Sequence, residues 1–284
     1  MIVLSHHPHI RNKALTGRVA FSATLAWLPL AAAACALWPR AFPTTLAATA
    51  AVALGFALLS GRGRLYGAAT GWCLADAALL ALLMPAGTPW HVPALLMAAI
   101  GGLRALFRNR GFTPPLNFTA VALAASLLLT DRAALAVSGP GLGEGFGTGS
   151  FYFLSGYWPL AATLLLLPAI LGRWFKWTSL LSFLLAAGGA AAVAGYLNGW
   201  QYDVSAVEPQ AYAALVAGIG LVADQRSSPL ARGGQAWAGI VAGLLFALFA
   251  WRGLPYQGMV IAPLAANLLT PLLDYRAGAP QAAQ

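Results

Sequence analysis

Long apolar runs alternate with short polar or Gly/Pro-rich punctuation along almost the whole chain. They lie near residues 19–38, 42–60, 66–84, 90–107, 114–130, 152–172, 177–197, 209–224, 236–251 and 257–273. Runs of about 17–23 residues cross a hydrocarbon core of about 30 Å as helices rising about 1.5 Å per residue. The pattern predicts an all-α polytopic membrane protein of about ten transmembrane helices. It forms a single integral membrane domain over 1–284: repeat one over 1–130, an outer loop at 131–151 and repeat two over 152–276. Five runs precede the outer loop and five follow, so a five-helix unit used twice would be inverted the second time. The third run of each half ends at a polar or Pro-containing break, MPAGTPWHVP (Met84 to Pro93) and DQRSSPLARGG (Asp224 to Gly234).

The positions of Lys and Arg orient this array. With the N-terminus cytoplasmic, one side collects 13 of the 16: Arg11, Lys13, Arg18, Arg62, Arg64, Arg104, Arg108, Arg110, Arg173, Lys176, Arg226, Arg232 and Arg276. The other side receives Arg40, Arg132 and Arg252. A missed or invented span would invert every later loop and erase that asymmetry. Both termini are therefore expected in the cytoplasm. The first run is longer than the apolar part of a secretory signal and is read as a retained helix.

Composition excludes the soluble alternatives. Hydrophobic residues make up 60% of the 284 and charged residues 8%, where a soluble domain carries about 25% charged. The net charge of +9 could suggest nucleic acid, but the cations sit singly or in small groups between apolar runs. The expected partner is the lipid bilayer, with no nucleic acid. Trp38, Trp72, Trp90, Trp158, Trp174, Trp177, Trp200 and Trp251 fall near run ends, as an interfacial belt requires. Cys35 and Cys73 lie in apolar segments without metal-ligand spacing and read as small buried hydrophobes.

Candidate chemistry rests on ionisable groups inside the runs, which must be paired or hydrated. Asp76, in WCLADAALL, reads either as a proton or cofactor contact or as a structural carboxylate bonded to Thr70 or a neighbouring helix's hydroxyl. Asp224 either pairs with Arg226 or points an acceptor at a ligand in the break. Ser227 and Ser228 precede a helix start, whose hydroxyls and free N–H groups could hold an anion. Asn267 or Thr270 could satisfy the carbonyl freed by Pro271. His6, His7 and His9 form a tail cluster with no metal expected, and His91 reads as interfacial. Walker A, H-E-x-x-H, C-x-x-C and G-x-S-x-G motifs are absent, and with them support for NTP motors, zinc enzymes and hydrolases.

Three segments carry a resemblance. SHHPHIRNKALTGR resembles the S-P-H-x-R-x-x-x-x-T-x-R opening of the D subunits of Rnf-type electron transport complexes, relatives of the B subunits of Nqr complexes. LVADQRSSPLARGGQAWAGIVAGLLFAL is similar to that family's T-D-P-V-T-x-P … G-R … G-x-x-A-G segment. GLPYQGMVIAPLAANLLTPLLDYR (Gly253 to Arg276) resembles its G-x-Y-P-x-G-V-A-F-A-x-L-L-x-N-x-x-x-P-L-I-D ending. The resemblance implies an inverted five-helix repeat with a urea-transporter-like fold. It also implies a place in a bacterial inner-membrane redox complex with other membrane subunits, coupling electron transfer to ion movement.

The departures fall on the family's flavin sites. Its S/T-x-A-T attachment motif for FMN has no counterpart in SGPGLGEGFGTGS, where Thr148 stands alone, so covalent FMN is not expected. Its N-x-x-N-P-A segment, which lies against a non-covalent flavin (FMN or riboflavin) in the Nqr relatives, corresponds to Arg110, Gly111, Phe112, Thr113, Pro114 and Pro115. Arg110 and Thr113 replace both asparagines. The resemblance adds Arg110 and Thr113 to Asp224, Ser227, Ser228 and Asp76 as the candidate cofactor contacts, and Arg110 and Asp224 are expected to line one polar site. The chain is then a non-autonomous subunit of an oxidoreductase complex. The alternative is a channel or carrier for a small polar solute on the same fold.

Overall fold

The computed structural model describes residues 13–37, 39–60, 68–84, 88–109, 116–129, 175–197, 214–215, 217–224, 226–252 and 254–276. Among these, regular structure is helical throughout. The helices are α1 (Lys13–Leu37), α2 (Ala41–Ser60), α3 (Ala68–Leu83), α4 (His91–Asn109) and α5 (Phe118–Leu129). After α5 come α6 (Trp177–Leu197), a π-helical segment (Gly218–Val222), α7 (Arg232–Trp251) and α8 (Pro255–Arg276). The predicted run 152–172 and the outer loop 131–151 lie outside the described residues.

Among the described residues, four stretches are long and apolar enough to cross a membrane: Phe42–Leu59, Trp177–Leu197, Arg232–Trp251 and Tyr256–Asp274. Shorter apolar helices cover Ala20–Ala36, Thr70–Leu83, His91–Phe107 and Phe118–Leu127. Leu59, Leu185, Leu197 and Leu268 project from the described bundle with more than two-thirds of their surface exposed. Acyl chains solvate such side chains, whereas water does not.

Element ends follow local chemistry. α5 starts later than the apolar pattern predicts, because Pro114 and Pro115 precede it and Asn117 caps it. The Asn117 Oδ1 accepts the Ala120 N–H at 3.1 Å. α7 has no side-chain cap from its own Ala231. Asp274 of α8 supplies one instead, its Oδ1 accepting from Leu230 N–H at 2.8 Å and Ala231 N–H at 3.4 Å. The π-helical segment is closed by a bond from Ala223 N–H to the Gly218 carbonyl, 2.8 Å long and five residues back.

Small residues set the packing. The most extensive helix contact joins α6 to α7, followed by α7 with α8 and α1 with α3. In lipid, helices gain little from hiding apolar surface and depend on close approach of backbones. Gly239 and Gly243 of α7, four residues apart, provide that approach to α6. A Cβ on Gly239 would lie 2.0 Å from Ser182 Oγ and 2.5 Å from the Ser179 carbonyl. Gly71 does the same between α3 and α1, where Thr24 Oγ1 donates to the Gly71 carbonyl at 2.7 Å. Gly239→Ala should cost about 1–3 kcal/mol through overpacking against backbone. Gly233→Ala, whose added Cβ meets nothing within 4 Å, should be neutral or slightly stabilising. Thermal melts of the two variants in detergent check this, and equal melting temperatures would contradict the close-packed α6–α7 seam.

Candidate functional site

The break between the π-helical segment and α7 is laid against α3 and α5 by a buried polar network. Asp76, in the middle of α3, is 1% exposed, too buried for its charge to be carried by water. Leaving water costs a carboxylate several kcal/mol. A close opposite charge returns about 4 kcal/mol at an effective dielectric near 20. Asp76 has two such charges. Arg226 donates through Nη2 to Asp76 Oδ1 at 2.7 Å and through Nη1 to Oδ2 at 3.1 Å, a two-pronged fit of guanidinium to carboxylate. Arg104 of α4 pairs with Oδ2 through its Nη2, and Thr119 of α5 donates its hydroxyl to Oδ1 at 3.1 Å.

Arg226 also serves the second carboxylate. Its Nε donates to Asp224 Oδ1 at 3.1 Å. Burial alone would push its pKa down, but Asp224 and Asp76 push it up by more, so the guanidinium stays charged. Its Cζ lies 4.6 Å from the ring centroid of Trp72, a cation–π contact. Asn117 joins from the first half, its Nδ2 donating to Asp224 Oδ2 and to the Gly220 carbonyl, both at 3.3 Å. The Ser227 hydroxyl donates to Asp224 Oδ2 at 3.4 Å, and that of Ser228 to the Asp224 carbonyl.

A narrow cleft of about 20 Å³, room for about one water, lies beside this network. Trp27, Trp72, Phe175 and Leu79 wall it, and Asp76, Asp224 and Arg226 supply its polar edge. Gly220 lets the π-helical segment approach, since a Cβ there would lie 2.7 Å from Leu79 and 3.2 Å from Trp27. The three ionisable groups along this edge are bonded to one another.

A family model described as "NQR2, RnfD, RnfE family" matches residues 3–280. The chain belongs to that family. Its members are membrane subunits of Rnf- and Nqr-type complexes, and this multi-pass membrane protein is one of them. No curated protein matches the chain.

Four of the six residues predicted as cofactor contacts, Asp76, Asp224, Ser227 and Ser228, meet in this Rnf/Nqr-family subunit. Arg110 and Thr113 lie outside the described residues, as does Thr148. Asp76 carries the neighbouring-helix hydroxyl bond of its structural reading, from Thr119. Asp224 pairs with Arg226. At the start of α7 the Leu230 and Ala231 N–H groups donate to Asp274, while the two serine hydroxyls turn toward Asp224. Thr270 does not repair the carbonyl freed by Pro271. Its hydroxyl reaches the Ser227 carbonyl at 3.0 Å and that of Ala266 at 3.5 Å, tying α8 to the break.

Three contributors escaped the sequence reading. Arg104 was counted as a loop-side cation, although it lies five residues before the end of α4, where a long side chain can turn inward. Arg226 was weighed only as a partner for its near neighbour Asp224. Asn117 gave a usable signal: an Asn shortly after two prolines and before an apolar run is a helix-cap pattern.

Proposed function

We propose that this chain is a membrane subunit of an Rnf/Nqr-like ion-translocating electron transport complex in a bacterial cytoplasmic membrane. It carries no covalent FMN, and its centre is an ion-paired joint rather than a redox group. The observation that supports this most strongly is the family match over nearly the whole chain. Ten helices in two inverted five-helix repeats fit the pairings among described elements. α2 packs on α4, α4 on α5 and α3 on α5, while α6 packs on α7, α7 on α8 and the π-helical segment on α8. Counting the runs, these are equivalent pairs in the two halves.

The described part of the cleft does not suit an isoalloxazine ring. Arg226 lies over Trp72, where a ring would stack, and its Nε, Nη1 and Nη2 donate to Asp224 and Asp76. A non-covalent flavin on this subunit would need donors other than Arg226. The same bonds disfavour the solute-carrier alternative, since Arg226 bridges both carboxylates along the cleft's polar edge.

Purification of the tagged chain from its native membranes in mild detergent tests the assignment. The chain should co-migrate with subunits whose absorption spectrum shows redox cofactors, and show no fluorescence of its own on a denaturing gel under ultraviolet light. A chain that runs alone and carries solute flux in liposomes would overturn the complex. A fluorescent band lost in Thr148→Ala would overturn the absence of covalent FMN.

The proposed topology places residues 1–18, 61–65, 108–113, 173–176, 225–235 and 274–284 in the cytoplasm. Arg104, Lys176 and Arg226, all assigned to that side by the charge count, do gather around one break. Single cysteines at Gly233 and Gly141, in a background lacking Cys35 and Cys73, check it in intact cells. An impermeant thiol reagent should label Gly141→Cys and spare Gly233→Cys, and the reverse pattern would invert the topology.

A further inference from the structure

We infer that Lys176 is a proton-linked pin for the break: as a neutral amine it holds the break closed, and taking up a proton loosens it. The inference rests on the geometry of residues 223–231 and not on the redox assignment. Lys176 holds the break at both ends. Its backbone N–H donates to the Ala223 carbonyl at 3.1 Å, where the π-helical segment stops. Its Nζ donates to the Ser228 carbonyl and, at 3.1 Å, to the Pro229 carbonyl, just before α7. Asp224 and Arg226 lie between these fastenings, so the lysine fixes the loop that presents both to α3 and α5.

The half-buried position of Nζ gives the direction, since a neutral amine already supplies the N–H groups that the two carbonyls accept. An ammonium adds a third N–H and a full charge in a half-buried position. The charged groups that face it among the described residues are Asp224 of the break and Asp274 of α8. Both already have partners: Asp224 has Arg226, Asn117 and Ser227, and Asp274 has the Leu230 and Ala231 N–H groups. Their attraction therefore falls short of the cost of burial, which pushes the Lys176 pKa down from 10.5 to about 8.

With the break open, the amine is in water and regains its ordinary value of about 10.4. Between about 8 and 10.4 the open form binds more protons than the closed one. Closure therefore strengthens as pH rises through that window and weakens as pH falls back toward about 8. Below about 8 both forms are protonated and the dependence ends. Proton uptake at one lysine is thereby linked to the freedom of the loop that presents Asp224 and Arg226 to α3 and α5.

Hydrogen exchange on the full-length chain in lipid nanodiscs reads this at the Arg226, Ser228 and Leu230 amides, bonded to Asp224 Oδ1, the Asp224 carbonyl and Asp274 Oδ1. Dividing the wild-type rate by that of Lys176→Met at each pH removes the intrinsic pH dependence of exchange. The ratio should fall several-fold between about pH 8 and 10, and by at most about tenfold per pH unit because one proton is exchanged. Lys176→Arg, charged throughout, should give a flat ratio to Lys176→Met. A wild-type ratio that stays flat or rises overturns the inference. Where Lys176→Met does not fold, the wild-type to Lys176→Arg ratio must show the same fall, and a flat one overturns it equally.

Discussion

Two carboxylates lie inside a bundle surrounded by lipid, and Arg226 bridges them, with Arg104 as the second cation. Neither Asp76 nor Asp224 has enough exposed surface to be solvated by water, so each charge must be met by the protein. A single guanidinium reaches both because it presents a planar fork on one edge and an Nε–H beside it. The rest of the site is arranged around that requirement. Arg104 and Thr119 complete the acceptors of Asp76, and Asn117 and Ser227 complete those of Asp224. Trp72 shields the guanidinium face. Because Asp76 and Asn117 lie before the outer loop and Asp224 and Arg226 after it, satisfying these charges also joins the two parts of the chain.

The irregular backbone of the break is tolerable for the same reason. Non-helical backbone buried from water survives only where protein satisfies its N–H and C=O groups. Here Lys176 takes the carbonyls of Ala223, Ser228 and Pro229, Thr270 takes that of Ser227, and Asp274 takes two N–H groups at the start of α7.

Much of the fold was legible in the sequence, because a bilayer imposes length and apolarity on each helix independently of its neighbours. The runs at 42–60 and 177–197 match α2 and α6 to within a residue at each end. Boundaries slipped where a cap or break decides them, as at Asn117 and in the π-helical segment. Asp76 and Asp224 stood out because a carboxylate in an apolar run is conspicuous. Their partners did not, since an arginine near a helix end looks alike whether it turns toward water or inward. Pairing across 150 residues, as between Asp76 and Arg226, leaves no local signature.

The claim that one arginine couples the two carboxylates is tested most directly by a double-mutant cycle on Asp76 and Arg226. It is read as stability of the full-length protein in detergent. Each single alanine strands a buried charge and should cost on the order of 3–5 kcal/mol. The Asp76–Arg226 bond is lost in each single variant and is lost only once when both go, so Asp76→Ala with Arg226→Ala should cost clearly less than the sum of the two. Losses that add within about 0.5 kcal/mol would mean that the two residues do not share an interaction, and would contradict the account.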